Sequence, residues 1–218
     1  PVIDARGRAA KNRCQFPHYT SRTDMTRLTL HTETSAPEAS RALVARAAAN
    51  NGFLPNLIGI LANSPQALET YLGVAQTTAR GELTLAEREV LQITAARIHG
   101  CDFCVAGHSA AALKQAKLPA SAVVALQRGE ATGEARLDAV RAFTEAVIAS
   151  RGKVSDEALA AFRGAGYSER QVLEVVLGVS LATLCNFANS LAGSAVNPQL
   201  QPYLPENLRA DAAPAHAG

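Results

Sequence analysis

Apolar positions along this chain recur at three- and four-residue intervals, and glycine or proline closes most of the segments that carry them. The stretch SAPEASRALVARAAANNG predicts a helix with Ser35 as N-cap, Pro37 in its first turn and Gly52 as its stop. In FLPNLIGILANSPQALETYLGVAQTTARG, Pro55 and Pro65 divide two short helices before Gly81. LTLAEREVLQITAARIHG predicts a helix from Thr84, as N-cap, to Gly100. That helix is apolar on nearly every side, so it belongs in a core and its charged residues need explaining. Glu87 and Arg88 are expected to be solvated there. The next helix begins at a cysteine pair and runs to Leu118 and Pro119. SAVVALQRGE, EARLDAVRAFTEAVIASRG, SDEALAAFRGAG and SERQVLEVVLGVSLATLCNFANSLAG supply the rest. Few alternating β-branched runs interrupt this pattern, and the chain reads as all-α.

The last of these segments carries no charge from Val175 to Ala192, close to the length of a membrane span. Ser180, Thr183, Asn186, Asn189 and Ser190 within it favour a buried or subunit-interface helix instead. AEREVLQI at 86–93 is echoed by SERQVLEV at 168–175, which suggests two related helical units around one core. The second unit lacks the cysteine pair, and Cys185 with Asn186 falls near its place.

Residues 1–34 read as a poorly ordered extension, 35–197 as the helical domain and 198–218 as a C-terminal tail. The first 24 residues have no sustained period, and Met25, the single methionine, marks the break as an expected start. The formal net charge is only +2, tryptophan is absent and aromatics make up 5% of residues, which argues against nucleic acid as a partner. Neither a membrane nor a secretory leader is expected, so the four cysteines are assigned to a reducing cytoplasm. In that setting a close cysteine pair signals metal binding or redox chemistry.

The pair lies in IHGCDFCVAGHSAAALKQA, residues 98–116. On a helix starting at the cysteines, Cys101, Cys104 and His108 share an arc of about 60°. First-turn thiols meet free N–H groups and the helix dipole, which favour a thiolate. His108, one turn beyond Cys104, can take or balance a thiol proton. This makes Cys104 the candidate for activation, although exposure in the first turn equally allows Cys101 to attack first. If the two helices fold back antiparallel at Gly100, Glu89 and His108 differ in level by only about 5 Å, within a glutamate's reach. The carboxylate could then orient the imidazole and raise its basicity. Two plainer readings compete: a pair of small buried thiols, and a zinc clamp. The clamp would draw Cys101, Cys104 and His108 from one helix, a poor tetrahedron with His99 the nearest fourth ligand, so no metal and no cofactor are expected.

Glu89, Cys101, Cys104 and His108, at these spacings, resemble the motif of the carboxymuconolactone decarboxylase superfamily in its alkylhydroperoxidase D-like branch. NGFLPNLIGILANSPQALETYLG, residues 51–73, is similar to the segment preceding that motif in peroxidase-related members. The resemblance covers about residues 35–195. It implies an all-helical fold, a homo-oligomer of trimer or hexamer type, and a thiol-dependent peroxidase or disulfide reductase without a metal. Its partners would be a peroxide or disulfide substrate and a dithiol electron donor. Cys101 and Cys104 would be the redox pair, with His108 and Glu89 as the proton relay. Phe103 departs from the pattern, because the family commonly has a histidine there; His99 could substitute only if the loop brings it round. The alternatives are a non-enzymatic, redox-responsive helical oligomer and a lactone decarboxylase, whose members generally lack the cysteine pair.

Overall fold

The computed structural model describes residues 26–209, and every regular element among them is helical. The α-helices are α1 (Glu38–Asn51), α2 (Asn56–Leu61), α3 (Pro65–Thr78), α4 (Leu85–His99), α5 (Asp102–Lys114), α6 (Ala120–Arg128), α7 (Ala135–Ser150), α8 (Asp156–Gly164) and α9 (Glu169–Ala192). Two 3-10 turns, Gln201–Tyr203 and Glu206–Leu208, follow. The all-α expectation therefore holds.

Local chemistry sets the ends. Thr84 caps α4 in a reciprocal box with Glu87, and Ser168 caps α9 in the same way with Gln171. The two echoing segments thus begin their helices with the same device. Gly100 ends α4 at φ 70° and ψ 34°, a conformation that costs glycine nothing, and the chain turns straight into α5. Where α4 breaks, α9 continues: it runs unbroken through Thr183 and Cys185. The start of α1 differs from expectation. Pro37 is its N-cap, while the Ser35 hydroxyl accepts from the Thr32 amide in the preceding turn.

Helix α4 is the axis of the packing, lying against α5, α6, α7 and α9. Val90, Ile93, Ala95 and Ala96 on it are fully buried. Two clusters of buried side chains flank it: one joins α1–α3 to the cysteine pair, the other joins α4 to α6–α8. Both draw on α9, with Leu181 and Cys185 in the first and Val175 in the second. At Gly178 the two long helices touch closely. A Cβ there would sit 2.7 Å from a Leu91 methyl, and the Gln92 amide donates to the Gly178 carbonyl at 3.0 Å. By length and composition α9 could cross a membrane, yet it packs against α2, α3, α4, α5 and α7 and buries Asn186 and Asn189.

Glu87 is not solvated; it is 3% exposed. Beyond its cap role, its carboxylate accepts from the Tyr167 hydroxyl at 2.6 Å and pairs with Arg136 at 3.2 Å. Burial alone would raise its pKa, but these donors, Tyr167 foremost, hold it below the ordinary value. Tyr167 is itself the end of a stack with Phe162 and Phe143, ring centres 4.2 and 4.3 Å apart.

Residues 1–25 and 210–218 lie outside the described residues, and with them most of the extension and part of the tail. Of the remainder, the Arg27 amide donates to the Ala192 carbonyl and the His31 amide to Gly59. Residues 201–203 pack on α5, and Gln127 donates to the Tyr203 carbonyl.

Phe162, 1% exposed, joins the stack to the second core cluster. Phe162→Ala should lower unfolding free energy by about 3–5 kcal/mol in denaturant titration, because it opens a gap and frees Tyr167 from the ring that positions it.

Candidate active site

The site is built at the α4–α5 turn. Cys101 is the N-cap of α5 rather than part of its first turn, and its sulfur accepts from the Cys104 amide at 3.4 Å. Both thiols are 4% exposed, so first-turn exposure does not distinguish them. Their cover comes from the first core cluster, to which both belong along with Phe103. The two sulfurs are electrostatically one unit. Cys101 is held below its ordinary pKa, chiefly by the Cys104 side chain and then by the Cys104 backbone and Asn189. Cys104 is pushed well above its ordinary value, first by its bond to Cys101 and then by burial. These contacts therefore favour charge on Cys101 over the sulfur nearer in sequence to His108.

Glu89 and His108 meet across the antiparallel helices, with Oε2 2.7 Å from Nδ1. The glutamate side chain is 10% exposed and the histidine 32%. Burial works against an imidazolium here, but the Glu89 charge and hydrogen bond outweigh it, aided by Cys101, and the His108 pKa is raised. With Nδ1 facing Glu89, Nε2 is the nitrogen left for exchange with a ligand.

Two clefts converge on this pair. One, about 460 Å³, runs from Arg88 and Leu83 to Glu89 and His108. The other, about 650 Å³, lies beside Phe53, Phe103 and Cys104. Tyr71, Glu89, His108 and Cys185 belong to the walls of both. Cys101 instead borders a third, smaller cleft of about 190 Å³, together with Asp102, Gln127 and residues 205, 207 and 208.

Three participants escaped the sequence reading of the site. The Asn189 amide donates to the Cys104 sulfur at 3.4 Å, from 85 positions away. Its only signal was its polarity within the uncharged stretch from Val175 to Ala192. Cys185, one turn earlier on α9, is a third buried thiol, raised to about 12 by burial and then by Cys101. The Tyr71 hydroxyl is raised by burial and by the neighbouring Cys185, Cys104 and Glu89, and no spacing in the sequence ties α3 to the turn. His99 does not come round to the thiols. Its ring bonds the Asn186 amide at 3.0 Å and packs edge-on against Phe187, and burial lowers its pKa. Among the described residues no three His, Cys, Asp or Glu side chains are grouped to hold a metal.

The sequence model described as "Carboxymuconolactone decarboxylase family" matches residues 65–146, the segment from α3 into α7. No curated protein matches the chain. Among solved structures, it is similar to the alkylhydroperoxidase AhpD core of an uncharacterized peroxidase-related protein from Ralstonia eutropha JMP134. That match has TM-score 0.73 and 20% identity, covering 82% of this chain and 96% of that one. A peroxidase-related protein from Silicibacter sp. TM1040 gives TM-score 0.70 at 19% identity over 84% and 97%. The debrominase Bmp8 gives 0.67 at 18% over 84% and 96%. The family model thus matches less than half of the chain, and the solved structures show that it has the AhpD-like fold.

The Glu89–His108 pair has a stability signature. A raised histidine pKa contributes stability in full below about 6.5, the ordinary value, and loses it as pH climbs through the raised one. Glu89→Gln should therefore depress the melting temperature more at pH 6 than at pH 9. An equal loss at both would show that no ion pair is formed.

Proposed function

We propose that this chain, which has the AhpD-like fold, is a member of the carboxymuconolactone decarboxylase superfamily and a thiol-dependent peroxidase that cycles Cys101 and Cys104 between dithiol and disulfide. The observation that carries the reading is the Glu89–His108 contact of 2.7 Å, set in the wall of the cleft that also holds Cys104. Cys101, as thiolate, attacks the terminal oxygen of a hydroperoxide. The S–O bond forms, the O–O bond breaks, and the departing alkoxide takes a proton from the His108 imidazolium. Neutral His108, kept basic by Glu89, then receives the Cys104 thiol proton. The Cys104 sulfur attacks Cys101, the S–O bond breaks, and hydroxide leaves as water with the proton from His108. An external dithiol restores the pair by exchange. With Phe103 at the position where relatives have histidine, His108 handles all these transfers.

A second reading is reductive dehalogenation of an aromatic ring. It is favoured by the mostly apolar cleft of about 460 Å³ that ends at His108, and by the shared fold with a debrominase, also solved as a variant with 2,3,4-tribromopyrrole. The same two thiols would supply two electrons, replacing halogen by hydrogen and releasing halide.

Peroxide-treated protein should lose about two mass units as the disulfide forms. Cys101→Ser and Cys104→Ser should each abolish multiple turnover with a dithiol donor while leaving the fold intact. Full turnover by either variant would sink the cycle, and bromide release from a bromopyrrole without peroxide turnover would select the second reading.

The reading includes a homo-oligomer. Leu173, Val176, Phe187 and Leu191 are exposed and fall on one stripe of α9 about 60° wide, an apolar face of the kind that subunits cover. Light scattering at micromolar concentration should give a trimer or hexamer, and Leu173→Glu with Leu191→Glu should shift it towards monomer.

A further inference from the structure

Asn189 stands out among the buried polar groups that the cycle above leaves unused. It is 3% exposed, its Nδ2 donates to the Cys104 sulfur at 3.4 Å, and its Oδ1 has no hydrogen-bond partner among the described residues. A buried carboxamide oxygen without a partner is costly, so its retention beside a reactive sulfur calls for a use. The residue sits on α9, outside the hairpin that carries the other reacting groups, and approaches the sulfur from that separate helix.

We propose that Asn189 is a catalytic residue of the resolving step, its amide N–H stabilising the Cys104 sulfur as charge develops there and its free carbonyl oxygen accepting the O–H hydrogen of the sulfenic acid on Cys101. This rests on the dithiol reading. The need for such a group follows from the order of events. Before oxidation Cys101 is the sulfur whose ionisation is favoured, supported by the Cys104 side chain and amide and by Asn189. Once Cys101 has become a sulfenic acid, that charge is gone, and Cys104 must turn from donor into nucleophile in a dry, apolar setting. His108 can take its proton, but a base does not solvate the sulfur left behind. The Asn189 N–H already points at that atom, so stabilisation requires no rearrangement at the moment of reaction. The two amide ends match the two partners that exist only in this intermediate: a sulfur gaining negative charge and a new hydroxyl with a hydrogen to give. In the attack, the Cys104–Cys101 S–S bond forms and the S–O bond of the sulfenic acid breaks. The hydroxyl leaves as water after taking the proton from His108.

Two measurements test this, and together they distinguish its failure from failure of the dithiol reading. The first needs no peroxide. In a Cys101→Ser background, the pH dependence of Cys104 alkylation, read by peptide mass mapping, should move up by about one unit when Asn189→Leu is added. Asn189→Asp, which keeps the size and adds a negative charge, should move it further. Both variants should first be shown to keep wild-type circular dichroism and a cooperative melt, and whichever folds carries the test. Coincident alkylation profiles would overturn the proposal. The second uses the chain with both cysteines. With one equivalent of peroxide, wild type should go directly to disulfide, whereas Asn189→Leu should accumulate a dimedone-trappable sulfenic acid on Cys101 and form disulfide about tenfold more slowly. Unchanged disulfide formation in the folded variant would also overturn it. If wild type itself gains no disulfide, the dithiol reading fails instead, and the alkylation profiles still decide whether Asn189 stabilises the sulfur.

Discussion

A carboxylate buried in a helix that is apolar almost all round is the constraint on which the rest of this molecule turns. Glu89 sits on α4 next to the fully buried Val90 and is itself largely buried, and an unpaired charge there would be costly. Its partner is on the next helix, and the contact exists only because Gly100 folds α5 back along α4 in register. The same turn places Cys101 at the helix cap and Cys104 within its first turn. One glycine conformation thus aligns the acid, the imidazole and both sulfurs. The surrounding helices hold α4 still: the Tyr167–Phe162–Phe143 stack fixes its start through Glu87, and Gly178 lets α9 press against its middle.

Helix boundaries were legible in the sequence where a cap and a glycine agreed. Thr84 and Gly100 bracket α4 as expected, and counting residues outward from Gly100 was enough to bring Glu89 level with His108. Ser35 misled because a serine ahead of proline can serve a turn as readily as a helix, and its hydroxyl went to Thr32. Glu87 misled for a different reason: its partners Tyr167 and Arg136 come from distant segments, and a carboxylate near a helix start looks solvated until they are seen. Asn189 and Tyr71 were invisible as site residues for the same cause. Local spacing reports on one helix or one hairpin, and α3 and α9 reach the thiols only through the tertiary packing.

The electrostatics of the thiols likewise depended on contacts that spacing does not encode. Proximity to His108 along the helix pointed to Cys104, yet hydrogen bonding favours charge on Cys101. The cap position explains the difference. A side chain at the cap faces the free backbone amides of the turn, and the Cys101 sulfur accepts from the Cys104 amide, whereas the Cys104 sulfur receives no backbone amide and has only the Asn189 side chain as an amide donor.

The two sulfurs are three residues apart, yet they look out on different openings. Cys104 belongs to the wall of the broad cleft with Phe53 and His108, and Cys101 to the narrow one edged by Pro205, Asn207 and Leu208. A bond between them would work like a feed-through in an insulating panel, with electrons delivered at one terminal and withdrawn at the other. A small oxidant and a bulky reductant using such a pair need not queue at a single door, and occupying one door leaves the other free.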